Sequence, residues 1–325
     1  MIYPWQQKVW QNIADTWDKQ PNARLFTGKE NTGKTAFARH LAQALLCETP
    51  SENHESCGIC PSCHLFSQAA HPDFYELSPE IPEEGAGRKL LQIKIDAVRS
   101  LIEQVRLTSV RGGRRVVLIY PAESMNAQAA NALLKILEEP PENVLFLLVS
   151  HSRDKLLPTI KSRCRQTVLP MPSESEALAY LAQHHTENAA ELLAFHGGAP
   201  LFEHDEAQAQ MREKLLNWFA EPRLLAALDY AAAFDGKKWP LEIFLDWMQK
   251  WLADVALAQQ QMPPLYYPAH TAAARATAER TRAASLFAFQ TALNRLAPYG
   301  RHTLSVKLQL EYLLTEYLNF WQNKL

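Results

Sequence analysis

The residues best suited to chemistry lie in one eight-residue segment near the N-terminus, which reads Gly28, Lys29, Glu30, Asn31, Thr32, Gly33, Lys34 and Thr35. This spacing is that of a phosphate-binding loop, G-x-x-x-x-G-K-[ST]. In such a loop the glycines let backbone N–H groups surround phosphates, Lys34 reaches the β- and γ-phosphate oxygens, and Thr35 offers its hydroxyl to magnesium. The sequence therefore predicts a nucleotide-binding loop, although whether ATP and magnesium occupy it is left open.

Cysteines form a second group with chemical potential. Three of them follow the spacing C-x2-C-x2-C and a fourth lies nine intervening residues upstream, which gives the set Cys47, Cys57, Cys60 and Cys63. Four thiolates are the ligand set of a structural zinc ion, so the spacing predicts a zinc site. An iron–sulfur cluster and free thiols are the alternatives. One nearby histidine could replace the upstream cysteine, the candidates being His54, His64 and His71.

The acidic residues that an ATPase needs are missing from the expected place. A hydrolytic P-loop protein holds magnesium with a carboxylate at the end of a neighbouring buried strand and usually activates water with a second one. The buried-strand pattern at residues 116–119 is instead followed by Tyr120 and Pro121. Glu123 and Asp96 could substitute only through unusual geometry. The sequence thus indicates a nucleotide-binding loop without an evident hydrolytic apparatus.

Alternating strands and helices must position these residues. The sequence predicts strands at residues 23–26, 71–77, 116–119 and 144–149, and helical periodicity predicts helices between them at 36–46, 93–105 and 126–139. Such alternation is typical of a parallel sheet with helices on both faces. An acidic loop is expected over residues 79–89. From residue 170 onward the strand signals disappear, and the remaining chain is predicted to be helical.

Composition limits the class of protein. With 325 residues, of which 47% are hydrophobic, the chain is long enough for two or three domains. Its formal net charge of −2 excludes a broadly basic surface, so any contact with nucleic acid must be local or made through partners. Arg111, Arg114 and Arg115 form a local basic cluster, for which a solvated loop is the alternative. Neither a membrane span nor a signal-peptide layout is seen in the sequence, so we expect a cytoplasmic protein.

Several motifs together resemble one family. They are the cysteine segment inside a P-loop domain, the triplet His71-Pro72-Asp73, the run NALLKILEEPP at residues 131–141, and the triplet Ser162-Arg163-Cys164. In these motifs the chain resembles the delta-prime family of bacterial DNA polymerase III clamp-loader subunits, which are AAA+ proteins. The resemblance spans about residues 1–170, and the helical remainder fits only by length and composition.

The resemblance implies an architecture and a set of partners. It implies an AAA+ P-loop domain with a zinc-binding insertion over residues 1–169, a small helical lid over 170–202, and an all-helical collar domain for oligomerisation over 203–325. It also implies a hetero-oligomer with the ATPase subunits tau or gamma and the delta subunit, which loads a sliding clamp on primed DNA. A membrane has no part in this expectation.

The resemblance also assigns a role to Arg163. In the family the arginine of the Ser-Arg-Cys triplet reaches the ATP site of the adjacent subunit as a trans arginine finger; from the sequence alone, a solvated or ion-paired arginine on a polar loop before a strand is the alternative. Ser150 falls near the first-sensor position, with a strand-end cap as the alternative. The segment 198–201 lacks the lid arginine of the motor subunits. Together with the missing acids, this predicts a subunit that does not hydrolyse ATP.

Two enzyme classes compete with this interpretation. The first is an active clamp-loader ATPase of the tau/gamma type, against which Tyr120, Pro121 and the missing lid arginine argue. The second is a small-molecule P-loop kinase with a zinc lid, for which the required metal-binding and acceptor-binding carboxylates are not found in the sequence. Robust turnover of ATP by the purified chain, lost in Lys34→Ala, would favour the active ATPase.

Overall fold

The structure is a computed structural model that describes residues 2–80, 91–297 and 305–322. The described chain divides into two compact units. The first comprises residues 2–80, 91–177 and 199–201, and the second comprises residues 178–198, 202–297 and 305–322.

A five-stranded parallel sheet forms the centre of the first unit. Its strands are β1 (Ala23–Thr27), β2 (Phe74–Leu77), β3 (Arg115–Ile119), β4 (Val144–Ser150) and β5 (Arg165–Val168), arranged in the order β2-β3-β4-β1-β5. Strands β1, β3 and β4 are buried along their whole length, as expected for strands covered on both faces. Because all pairs are parallel, the carboxyl ends of these strands lie at one edge of the sheet.

Helices connect the strands of the first unit. They are α1 (Gln7–Ala14), α2 (Lys34–Leu46), α3 (Pro61–Ser67), α4 (Ile95–Arg106), α5 (Ala127–Glu138) and α6 (Pro158–Arg163), and α7 (Glu174–Gln183) begins in this unit and ends in the second. Two separate clusters of buried apolar side chains form its core: one includes residues of α1 and α2, the other residues of α4 and α5. Helices thus cover the sheet from both sides.

The second unit is helical throughout its described residues. Its further helices are α8 (Ala189–Phe195), α9 (Glu206–Ala220), α10 (Leu224–Gly236), α11 (Leu241–Gln259), α12 (Thr271–Arg280), α13 (Ala283–Leu296) and α14 (Val306–Trp321). Aromatic side chains fill the core: Trp251 stacks on Phe219 and donates a hydrogen bond from its indole to the Tyr317 hydroxyl at 2.9 Å. No described helix of the chain is long and apolar enough to cross a membrane.

The predicted fold class is confirmed, since a parallel α/β unit is followed by an all-helical part. The predicted strands at 23–26, 116–119 and 144–149 agree with the structure to within one residue. Strand β2 begins at Phe74, three residues after its predicted start, and α2 begins at Lys34, two residues before its predicted start. The alternative to the arginine finger predicts that Arg163 lies on a polar loop. This prediction is wrong, because Arg163 is the last residue of helix α6. The acidic loop predicted over residues 79–89 lies, apart from residues 79 and 80, outside the described residues.

Candidate functional site

The predicted phosphate-binding loop connects β1 with α2 at the carboxyl edge of the sheet. Two glycines are required by its shape. Gly33 precedes α2 with φ +85°, and a Cβ there would lie 2.5 Å from the Tyr3 ring. Gly28 has φ +146°, and a Cβ there would lie 2.7 Å from the carbonyl oxygen of Leu169. The loop therefore has the backbone that the motif demands.

Donors from the same unit hold the backbone carbonyls of the loop. The carbonyl oxygen of Thr32 accepts hydrogen bonds from the Trp5 indole at 3.0 Å and from the Gln6 amide at 2.8 Å. The hydroxyl of Thr32 donates to the carbonyl of Lys29 at 2.8 Å, and the Lys34 ammonium donates to that same carbonyl. These bonds hold the backbone of the loop in place.

Lys34 is nearly buried, with 2% of its surface exposed. Burial lowers the pKa of its ammonium to about 8, and the nearby charges of Glu30 and Glu123 oppose this shift. The lysine that the motif assigns to the phosphates is thus charged at neutral pH and has two carboxylates in its electrostatic range.

The end of strand β3 offers a phenol instead of a carboxylate. The Tyr120 hydroxyl donates a hydrogen bond to Glu76 and accepts one from Arg39 at 2.8 Å, and Arg39 forms an ion pair with Glu76. Desolvation, followed by the hydrogen bond to Glu76, raises the pKa of Tyr120, so the phenol stays neutral. A neutral phenol held in this way supplies no anionic oxygen for magnesium.

Glu123 lies in a short 3-10 turn, Ala122–Ser124, after β3. Its Oε1 accepts hydrogen bonds from the backbone N–H groups of His151 at 2.8 Å and Ser152 at 3.1 Å, which directly follow β4. Its Oε2 is buried and has no hydrogen-bond partner among the described residues. Asp96, the other acid considered from the sequence, is 87% exposed at the start of α4.

Ser150 ends strand β4 directly beside Thr27, the residue before the loop. Its side chain is fully buried, and its Oγ accepts a hydrogen bond from the backbone N–H of Ser152 at 3.2 Å. The hydroxyl thus acts as a cap at the end of the strand, which was one of the two roles predicted for it.

The four cysteines predicted as metal ligands come together. Their sulfur atoms all lie within 4.8 Å of one another, with Cys47 and Cys60 at 3.9 Å and Cys57 and Cys63 at 4.0 Å. A tetrahedral zinc ion with Zn–S bonds of about 2.3 Å separates its sulfurs by roughly 3.8 Å. The donor set and its spacing therefore fit a tetrahedral metal ion.

Backbone N–H groups surround these sulfurs. The N–H groups of residues 57, 60 and 63 point at the sulfurs of Cys47, Cys57 and Cys60 at 3.3, 3.3 and 3.4 Å. Hydrogen bonds from the Thr49 hydroxyl and then from backbone N–H groups lower the pKa of Cys57 to about 6, whereas burial raises the pKa of Cys63 to about 12. Such donors stabilise thiolates, the form in which cysteine binds metal.

His71 has a different role from the ligand role considered for it. Its Nε2 donates to the Ser62 hydroxyl at 2.8 Å, because that hydroxyl itself donates to the carbonyl of Leu46 at 2.6 Å. Its Nδ1 accepts the N–H of Asp73 at 3.1 Å. The neutral ring thus joins α3, which contains Cys63 and directly follows Cys60, to the start of β2. Sequence reasoning assigned no contact to Ser62.

Asp73 of the same triplet holds the turn before β3. It is 1% exposed, and its two carboxylate oxygens accept the N–H groups of Val110 at 2.9 Å and Arg111 at 3.0 Å. The triplet His71-Pro72-Asp73 therefore serves the attachment of the cysteine segment to the sheet.

Arg163 forms an ion pair in this structure. Its Nε donates to the Glu138 carboxylate at 2.7 Å, a second guanidinium nitrogen donates to the same oxygen, and a third donates to the carbonyl of Thr159 at 2.9 Å. Its side chain is 31% exposed. The C-terminal ends of α5 and α6 thus hold the guanidinium at the surface.

The basic cluster divides into residues with different environments. Arg115 is 7% exposed and donates to the backbone carbonyls of Val105, Leu107 and Glu142. The solvated loop considered for the whole cluster is therefore wrong for Arg115, which is part of the interior. Arg111 forms an ion pair with Glu48 at the surface.

The fold and the site define a P-loop-type α/β protein with four cysteines positioned to bind a metal ion and a helical C-terminal part. The sequence profile described as DNA polymerase III, delta subunit matches residues 5–173. The DNA polymerase III subunit delta-prime of Pseudomonas aeruginosa is 39% identical over 257 residues, which cover 77% of this chain and 76% of that protein. The Escherichia coli subunit delta-prime is 32% identical over 268 residues, or 76% of each chain. This chain therefore belongs to the family of DNA polymerase III delta-prime subunits.

A more distant relative is the DNA polymerase III subunit tau of Escherichia coli. It is 39% identical over 145 residues, which cover 45% of this chain and 21% of that protein. The resemblance stated from the motifs is thus confirmed at the level of the family.

Proposed function

We propose that this chain is a clamp-loader subunit of DNA polymerase III that does not hydrolyse ATP and that supplies Arg163 as an arginine finger to an adjacent ATPase subunit. Membership in the delta-prime family supports the complex, and the end of β3, with Tyr120 bound to Arg39 and Glu76, supports the lack of hydrolysis. This arrangement at β3 is the observation that carries the proposal.

The position of Arg163 suits a finger. It ends a helix at the surface, where the planar guanidinium can exchange one anion for another. Its present partner, the Glu138 carboxylate, is 48% exposed, so an incoming phosphate oxygen can take its place. Such a guanidinium stabilises the charge that develops on the γ-phosphoryl group during transfer.

The test is Arg163→Ala in a clamp loader reconstituted with the ATPase subunits and the delta subunit. We expect the ATP turnover of the adjacent site to fall by two orders of magnitude or more, since arginine fingers contribute ~10³ to 10⁵ in rate. Arg165→Ala is the matched control, because Arg165 is exposed two residues further on. Unchanged turnover with Arg163→Ala would remove the finger from the account.

We propose zinc as the metal of the four-cysteine site. Metal analysis of the purified protein should find one zinc ion per chain, and Cys60→Ser should lower this value, because each thiolate is one of four ligands. Cys164→Ser is the control: Cys164 is buried and lies outside the cluster. Iron and sulfide with visible absorbance, or no metal at all, would contradict zinc.

We further propose that residues 28–35 bind a nucleoside triphosphate. Bound there, magnesium would neutralise phosphate charge, and Thr35 is the residue that would face it. Lys34 would orient the phosphates, and the backbone N–H groups at the start of α2 would donate hydrogen bonds to their oxygens. The expected partners are the tau or gamma subunits, the delta subunit, the sliding clamp and primed DNA, and we expect this assembly in the cytoplasm. We also propose that the chain divides into three domains, at residues 1–169, 170–202 and 203–325.

A further inference from the structure

Glu123 combines an anchored oxygen with an unsatisfied one. Two backbone N–H groups after β4 hold Oε1 at 2.8 and 3.1 Å, which fixes the carboxylate between the ends of β3 and β4. Oε2 is buried and lacks a donor among the residues that the structure describes. Since buried carboxylate oxygens are normally satisfied, this atom points to a partner that the described residues do not supply.

The surroundings of Glu123 indicate the charge of that partner. The carboxylate lies in the electrostatic range of Lys34, which the loop motif directs at phosphate. Glu30, the other acid in that range, is exposed on the loop and is screened by water. Glu123 is thus the weakly screened negative charge beside the place where phosphates would bind.

A carboxylate at this place has opposite effects on two forms of the ligand. It repels an uncomplexed triphosphate, because like charges repel each other more strongly at a partly buried site than in bulk water. It attracts the complex of the triphosphate with a divalent cation, because magnesium takes carboxylate oxygens directly or through its bound water. Tyr120 and Pro121 at the end of β3 contribute no charge to this balance.

We propose that Glu123 makes the loop selective for the magnesium complex of a nucleoside triphosphate over the free triphosphate. The proposal rests on the nucleotide-binding role of residues 28–35. Glu123 is a specificity-determining residue that governs which form of the nucleotide binds. Tyr120 and Pro121, which follow β3, offer no second acid to activate water. Binding with slow or absent hydrolysis is the consequence.

The experiment measures the dissociation constant of ATP for the purified, metal-loaded chain by equilibrium dialysis. One series contains magnesium, and the other is prepared free of it without a chelator, so that the cysteine site is not stripped. We expect wild-type protein to bind ATP at least about tenfold more tightly with magnesium. In E123Q this ratio should fall to within about threefold, because magnesium-free binding tightens and magnesium-dependent binding weakens.

Two variants separate charge from structure. Glu123→Asp keeps the negative charge and should keep most of the magnesium preference, whereas a merely structural role would make it as disruptive as E123Q. Glu103→Gln removes the same charge from an exposed residue of α4 and should keep the wild-type ratio of the two dissociation constants. Thermal unfolding and zinc content verify that each variant is folded.

The outcomes discriminate between the proposals. A wild-type ratio near one, or an unchanged ratio in folded E123Q, overturns the role of Glu123. A chain that binds no ATP in either series overturns both this inference and the nucleotide-binding role of the loop. Neither result affects the arginine finger, which Arg163→Ala tests in the assembled loader.

Discussion

At the scale of single residues, the contact between Arg163 and Glu138 decides whether the proposed finger can move. Both side chains are partly exposed, at 31% and 48%. Exposed ion pairs contribute only about 0.2–1 kcal/mol to stability, because water and salt screen them. The guanidinium can therefore leave the carboxylate for a phosphate at little cost to the fold.

This contact gives a prediction about stability. Glu138→Gln should lower the free energy of unfolding of the isolated chain by less than about 1 kcal/mol, measured by urea denaturation. Glu142→Gln is the matched control, since it removes the same charge from an exposed neighbouring residue. A loss of several kcal/mol specific to Glu138→Gln would show that Arg163 is a fixed structural residue.

Site residues that lie close together in the sequence could be predicted, whereas contacts between residues far apart in the sequence could not. The loop at 28–35 and the four cysteines follow local patterns, so their assembly could be expected from the sequence alone. The partners of Glu123, His151 and Ser152, lie 28 and 29 residues further along the chain. No periodicity encodes such a contact, which depends on the parallel pairing of β3 with β4.

At the scale of elements, the turn between β1 and α2 depends on glycine. Gly33→Ala places a side chain in the left-handed region and against the Tyr3 ring at 2.5 Å. We expect a loss of about 2 kcal/mol or more in unfolding free energy, from backbone strain and overpacking together. Unfolding in urea, and separately in guanidinium chloride, measures this difference in unfolding free energy.

Gly112→Ala provides the control for this prediction. Gly112 also has a positive φ, +73°, but a Cβ there meets nothing within 4 Å. It should therefore show only the backbone strain, about 1–2 kcal/mol. Equal losses in the two variants would mean that the packing of Tyr3 on the loop contributes nothing to stability.

Helices and strands could be predicted from the sequence where buried positions produce a regular pattern of apolar residues. Strands β1, β3 and β4 are buried along their length, and their apolar runs marked them. The edge strand β5 has the sequence Arg165, Gln166, Thr167 and Val168, with residues that are mostly exposed. One aliphatic side chain cannot indicate that this segment pairs with β1, because that pairing is made across more than one hundred residues.

At the scale of the whole molecule, the two units differ in what the sequence reveals. The first unit carries the motifs, and the family profile matches residues 5–173, nearly all of its length. In the second unit, helices pack around aromatic residues such as Trp251 and Tyr317. Many different hydrophobic sequences can form a helical core of this kind. Its helical class could be predicted, but the arrangement of its helices depends on long-range packing that has no local signature.

The central claim concerns the whole chain: it has a phosphate-binding loop but does not hydrolyse ATP. The most direct measurement is the rate of ATP turnover by the purified chain at saturating magnesium and ATP, compared with Lys34→Ala. The account predicts that wild-type protein and variant show the same negligible rate. Turnover by the wild-type chain that disappears in Lys34→Ala would contradict it and would identify the chain as an active ATPase.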